Sequence, residues 1–268
     1  MKNKLGCFFE NEKIEYFSAL SYSDCKVTRP DIMAREDFVP KSVIIFLVPY
    51  YSGECVNISR YAASRDYHIY LREITDKLSL FLGGEIPGIK SKGYGDHSPI
   101  DERAAAASCG LGIIGDNGLL INEKYGSYVF IGELITDVDA SLFGNFSLSE
   151  PRQCEHCGSC LRACPTKRLS ARENACLSAI TQKRGELTDS EKELVRKSGT
   201  VWGCDVCQES CPHNKTKNQT PIKFFHEQRI TNLTRDVLAQ MSDEEFSSRA
   251  FSWRGRKTVL RNLDILEK

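Results

Sequence analysis

The sequence predicts an N-terminal α/β (α+β) domain over residues 1–148, a cysteine-rich domain over 149–216 and a short helical tail over 217–268. Three observations predict it. Strand-like and helix-like apolar patterns alternate through the first half. Eight of the twelve cysteines fall between Cys154 and Cys211. Capping-box signals mark short helices in the second half.

Each element follows from a local pattern. Val43-Ile-Ile-Phe-Leu-Val48 is a continuous β-branched and aromatic run ended by Pro49, as in a strand buried on both faces. It is also the longest apolar run, far below the roughly 20 residues of a membrane helix. Ser59 to Leu82 reads as a helix, with Tyr70, Ile74, Leu78 and Phe81 on one stripe and Gly83-Gly84 as its stop. Glu102 to Cys109 reads as a second helix, ended by Gly110. Leu119–Ile121 and Tyr128–Leu134 read as strands. Thr188 with Glu191, and Ser242 with Glu245, are spaced as capping boxes, the first for a helix that ends before Gly199. No solenoid-type repeat is visible.

The chain has 268 residues, with 36 basic side chains balanced by 36 acidic ones. That excludes a protein that grips nucleic acid by overall charge alone. The segment Arg249 to Arg261, which holds Phe251 and Trp253, is locally basic with aromatics interleaved. It reads either as a phosphate contact or as an ordinary solvated surface. Charges interrupt the N-terminus before an apolar signal core can form, so a cytoplasmic chain with reduced thiols is expected. Dense cysteines in that setting point to metal or redox chemistry.

Cys154-Glu-His-Cys157-Gly-Ser-Cys160-Leu-Arg-Ala-Cys164-Pro165 is the C-x2-C-x2-C-x3-C-P run of bacterial ferredoxins. Three thiolates must reach three corners of one cubane from a tight loop, which two-residue gaps allow. The fourth crosses to the other cluster. A second half, Cys204-Asp-Val-Cys207-Gln-Glu-Ser-Cys211-Pro212, lacks the first cysteine of the run, and Cys176 is the unassigned cysteine nearby. The assignment is Cys154, Cys157, Cys160 and Cys211 to one [4Fe–4S] cluster, and Cys164, Cys176, Cys204 and Cys207 to the other. The domain is therefore read as ferredoxin-like. Two four-cysteine zinc sites are the other reading, but zinc ribbons do not call for this spacing.

Weaker signals remain. Gly110-Leu-Gly112-Ile-Ile-Gly115 matches a dinucleotide fingerprint, yet it follows a helix and precedes a strand, so it reads as a loop requiring positive φ. Asp66 and His68 flank Tyr67 and read as a solvated face or a polar contact. Asp96-His97-Ser98-Pro99 lies in a loop punctuated by Gly and Pro, where either a turn residue or a functional side chain is expected. Cys109 reads as a small buried hydrophobe.

Four segments converge on a family. Tyr61-Ala-Ala-Ser-Arg-Asp66-Tyr67-His68, Gly95-Asp96-His-Ser-Pro99-Ile-Asp-Glu102-Arg103, the Gly110–Gly115 loop and Gly132-Glu-Leu-Ile-Thr-Asp137 precede the double cysteine run and Gly203-Cys-Asp-Val-Cys-Gln208. Together they resemble the epoxyqueuosine reductase family over nearly the whole chain. The resemblance implies a cobalamin-binding α/β domain before the two-cluster domain, and reduction of the epoxide of epoxyqueuosine in the tRNA anticodon loop. It implies Asp96 as proton donor, and it places cobalamin contacts at Tyr67, His68, Gly110, Gly112 and Gly115. A reduced ferredoxin or flavodoxin is the expected electron donor, and no membrane partner is expected. Two departures stand out: Asp96 is followed by His97-Ser98, and Asp116-Asn117 replaces the usual Lys-Asn or Lys-His. Longer members continue into a helical-repeat domain that contacts tRNA, so this chain is expected to be a short form. The alternatives are a corrinoid-dependent iron–sulfur reductase of a different small substrate, and a non-catalytic electron-transfer or corrinoid-handling protein.

Overall fold

The computed structural model describes residues 1–144, 146–171 and 173–267. They form two compact units, one from residues 1–49 and 68–156 and one from residues 50–67 and 157 onward. This differs from three consecutive segments. The tail shares a core with residues 58–62 and 201–202, because Trp202, Phe251, Phe246, Val259 and Leu263 bury together with Ile58 and Ala62. A tail of this length cannot bury such large side chains alone.

The first unit is built on an antiparallel sheet of order β1-β2-β6-β3, with β1 Phe17–Ser21, β2 Ser42–Pro49, β3 Ser91–Tyr94 and β6 Val129–Thr136. A second small sheet pairs β4 Ile113–Ile114 with β5 Leu120–Ile121. Every residue of β2 is buried. Val43, Ile45 and Leu47 pack with Ala105–Ala107 of α4 (Glu102–Ser108). On the other face Phe46 meets Phe9 of α1 (Lys2–Asn11), ring centroids 5.3 Å apart. Gly132 of β6 lies opposite Phe46, and a Cβ there would come within 2.4 Å of the Phe46 ring. A short α2 (Pro30–Met33) completes the α4 side.

The long helix, α3, spans Tyr67–Glu85 and buries Tyr70, Ile74 and Leu78 of the stripe, while Phe81 is half-buried and Leu82 is buried in its place. Its start is later than the pattern predicts. Residues 60–62 form a 3-10 turn whose Ser59 and Arg60 are committed to Asp205. Nor do Gly83 and Gly84 stop it. A Cβ at either would meet nothing within 4 Å, so both sit on an open face and the helix runs on to Glu85, shortly before Pro87.

The second unit is a set of short helices: α5 Ser159–Ala163, α6 Leu177–Thr181, α7 Asp189–Ser198, α8 Val206–Glu209, α9 Arg235–Gln240, α10 Asp243–Ser247 and α11 Arg256–Leu266. Both capping boxes are formed, on α7 and α10, and Gly199 closes α7 at φ 64°. Among the described residues, no helix is long and apolar enough to cross a membrane.

Candidate active site and cluster ligands

The Asp96 loop is set by its neighbours. β3 ends at Tyr94, and Gly95 packs so closely on Leu71 that a Cβ would lie 2.4 Å from its Cδ1. The next residue, Asp96, has φ 66°, a left-handed conformation that Asp tolerates better than most residues. The Pro99 carbonyl accepts from the amides of Thr28 and Arg29 at 2.9 and 3.0 Å, and Asp101 caps α4 by accepting from the Ala104 amide. The Asp96 side chain is 64 % exposed, with Oδ2 3.8 Å from Nε2 of His68. It borders a cavity of about 440 Å³ that Ser98, Glu102, Arg29 and Arg103 also line. A second cavity of about 310 Å³ holds His68, His97, Arg72 and Lys92.

Two carboxyls stand behind this loop that the sequence reading had passed over as functional groups. Glu133 is fully buried on β6, facing the same side as Ile131 and Ile135. Ser98 Oγ is 2.5 Å from Glu133 Oε2 and also accepts the Ile100 amide at 3.2 Å. Burial pushes the Glu133 carboxyl up to about 8; the Ser98 hydroxyl opposes this, while the charges of Glu102 and Asp101 add to it. Burial likewise pushes Glu102 up to about 7, helped by the Asp96 charge and opposed by the Asp96 amide and Arg103. The carboxyls that the protein encloses here are those of Glu133 and, at Oε2, Glu102, while Asp96 is exposed. The signal for Glu133 was present in the alternation Ile131-Glu133-Ile135, which places a charge on a core-facing row.

Of the five residues proposed as cobalamin contacts, His68 is brought to Asp96. Tyr67 packs its ring on Tyr61 at 6.2 Å. Gly110 has φ 73°, as a loop glycine should. Gly112 and Gly115 are small for a different reason: a Cβ would lie 2.6 Å from the Ile121 carbonyl and 2.5 Å from Asn117 Oδ1. Their space is taken up by the hairpin of β4 and β5. Beside it, ligand atoms of Asp116, Cys154 and His156 lie within 4.8 Å of one another, with His156 Nδ1 2.7 Å from Asp116 Oδ1.

In the second unit burial and hydrogen bonding act on the cysteines in opposite directions. Cys204 is pushed up to about 11 by burial, with Cys176 and Cys164 close enough to add to the rise. Cys207, pushed up to about 12 by burial, feels Cys204, Cys176 and also Cys160. Cys176 and Cys164 act on Cys204, and Cys204, Cys176 and Cys160 act on Cys207, so these interactions run across both proposed ligand sets. Burial raises Cys164, but main-chain amides of Leu169, Thr166 and Arg168 and the Thr166 hydroxyl carry it below the ordinary thiol value. Amides from Ser159 and its hydroxyl do the same for exposed Cys157. Soft sulfur donors that accept from main-chain amides, as Cys157 and Cys164 do, are the donor chemistry an iron–sulfur cluster takes.

The Cys204–Cys207 turn is fixed by a buried ion pair. Arg60 Nη1 lies 3.0 Å from Asp205 Oδ2, the Arg60 amide donates to the same oxygen at 2.8 Å, and Ser59 Oγ donates to Oδ1. Arg60 also meets Glu54 and, at 2.6 Å, Glu209. Gly203 has φ 78°, and a Cβ there would lie 2.4 Å from that of Ser59. In the basic tail, Arg249, Arg256 and Arg261 turn inward onto the carbonyls of Gln228, Leu238 and Lys183 at 2.5, 2.8 and 2.6 Å.

Residues 153–214 match the family of 4Fe-4S double cluster binding domains. Curated relatives are epoxyqueuosine reductases. The protein of Staphylococcus aureus is 30 % identical over 76 % of this chain and 54 % of its own length. That of Gloeobacter violaceus is 36 % identical over 70 % and 61 %. That of Synechocystis is 38 % identical over 65 % and 63 %. The chain thus spans little more than half the length of these relatives. A crystal structure of epoxyqueuosine reductase with an epoxyqueuosine-modified tRNA stem loop shares the fold, with TM-score 0.79 at 24 % identity over 99 % of this chain and 80 % of that one. The enzyme from Streptococcus thermophilus does so at TM-score 0.75 and 22 % identity, over the same shares of each chain.

Proposed function

The chain belongs to the epoxyqueuosine reductase family, and from that premise we propose that it reduces the epoxide of epoxyqueuosine in the tRNA anticodon loop to the alkene of queuosine. The observation that carries the reading is the presence, in one chain, of a match to a double cluster binding domain over residues 153–214 and of a cavity bordered by Asp96 and a second acidic group, Glu102. Deoxygenation needs both electrons and protons.

Cys154, Cys157, Cys160 and Cys211 hold one cluster and Cys164, Cys176, Cys204 and Cys207 the other. Reduced ferredoxin or flavodoxin feeds them. Cobalamin, when bound, supplies the two-electron reducing centre. His68 is the proposed corrinoid-side residue with the most support, because its Nε2 lies 3.8 Å from Asp96 Oδ2; Tyr67, Gly110, Gly112 and Gly115 rest on the family resemblance. Asp96 is the proposed proton donor to the epoxide oxygen. The Arg60–Asp205 pair keeps the Cys204–Cys207 turn in register.

The test is anaerobic turnover of an epoxyqueuosine tRNA stem loop with cobalamin and a chemical reductant. About eight irons per chain and an alkene product are expected, with a loss on the order of 100-fold or more in Asp96→Asn. About four irons, or no product, overturns the reading. A reductase of a smaller substrate draws on one observation, the inward-turned arginines of the tail. Equal turnover of the free nucleoside and the stem loop, with no salt dependence, would favour it.

A further inference from the structure

The proposed reaction sets a proton count that Asp96 cannot meet alone. Both C–O bonds of the epoxide break, a C=C bond forms, and the oxygen leaves as water. The oxygen takes two protons, and the two electrons come from the low-potential donor through the clusters. One aspartic acid carries one proton per turnover, so a second acid, or solvent, must supply the other.

Glu102 is placed for this. It lines the same cavity as Asp96 and Ser98, and the Asp96 amide donates to its carboxyl. Its Oε2 is enclosed and has no hydrogen-bond partner among the described residues. An ionised oxygen in that position carries an unmet desolvation cost, whereas a protonated carboxyl reduces it. The first turn of α4, where Glu102 stands, would by itself favour the ionised form, so helix capping does not account for the enclosed oxygen.

We infer that Glu102 is a second proton-handling carboxyl of the reaction, reloading Asp96 or the departing oxygen from the shared cavity. This rests on the epoxide-reductase reading above. Burial supports it by holding Glu102 near 7, where a group both keeps and releases a proton at working pH. The groups that face it are Asp96 on the loop, Asp101 and Arg103 on its own helix, Glu133 on β6, and Arg29, which lines the cavity. Tyr22, Cys25 and Tyr94 in turn feel Glu133.

The experiment compares wild type, Glu102→Gln and Glu102→Asp in single turnover of the stem loop, across about pH 5.5 to about pH 9, with reductant in excess. Wild type should slow as pH rises through about 7. Glu102→Gln should be on the order of 10- to 100-fold slower and lose that limb, while Glu102→Asp recovers part of both. Equal rates for wild type and Glu102→Gln at every pH overturn the inference alone. A wild type that reduces no epoxide overturns the functional reading instead. A readout independent of turnover is the infrared stretch of protonated carboxyls in the chain without substrate. One band that persists at neutral pH should vanish in Glu102→Gln and survive in Glu133→Gln. A spectrum unchanged by Glu102→Gln shows that Glu102 is ionised and ends the proposal. Unchanged circular dichroism and iron content establish that each variant is folded.

Discussion

Each unit buries carboxyl groups, and the two solve the problem in opposite ways. Glu133 shares its strand row with Ile131 and Ile135 and meets a serine hydroxyl but, among the described residues, no cation, so burial drives it toward the neutral acid. Asp205 is nearly as enclosed, but Arg60, an amide and Ser59 all point at its oxygens. Burial pushes Asp205 up, and those partners offset only part of the rise, leaving it above the ordinary carboxylate value. One device stores a proton; the other fixes the geometry of a cysteine turn. The presence of a buried guanidinium, not the degree of burial, separates the two roles.

The sharpest way to break the contrast is to take away the cation. Arg60→Met leaves Asp205 enclosed and unpaired, which costs about 3–5 kcal/mol of stability. Urea unfolding of the anaerobic protein should show it, with iron loss from the Cys204–Cys207 side. A cost below about 1 kcal/mol would mean that the pair behaves as a surface bridge. The opposite unit should respond in the opposite sense. Glu133 has a folded value of about 8 against an ordinary 4.5. Its favourable contribution is complete below the unfolded value and is lost as pH rises through the folded one. Wild type should therefore lose stability between those two values, and Glu133→Gln should not. At alkaline pH the variant should be the more stable by roughly 2–4 kcal/mol. Parallel thermal-stability profiles for the two proteins would remove Glu133 as a neutral acid.

Much of the frame was legible because it is local. The β2 run, the α3 stripe, α4 with its Gly110 stop and both capping boxes depend on neighbours within a few residues. The onset of α3 was not legible, because Ser59 and Arg60 are claimed by Asp205, some 145 positions away. The tail misled for the same reason. Arg249, Arg256 and Arg261 read as a basic surface in sequence, but their partners are carbonyls of distant turns. At the site, the cysteine spacing is itself a local signal, and residues 153–214 match a double cluster binding domain. Glu133 was half-visible in its strand alternation. Glu102 was not, because its enclosure depends on the Asp96 loop folding over it.

The finest probe of the contrast is Ser98→Ala. Ser98 Oγ links two groups, the Glu133 carboxyl and the Ile100 amide, within the segment that carries Asp96. Its loss should cost about 1–2 kcal/mol, because a buried acceptor and a buried amide lose their shared partner. The more telling effect is on titration. Ser98 is the hydroxyl that opposes burial at Glu133, so without it the carboxyl should rise further and the alkaline loss of stability should shift to higher pH. A shift to lower pH would mean that Ser98 favours the neutral acid as its donor. The proton would then be shared outward, toward the loop, and Glu133 would belong to the same relay as Glu102 rather than to the scaffold behind it.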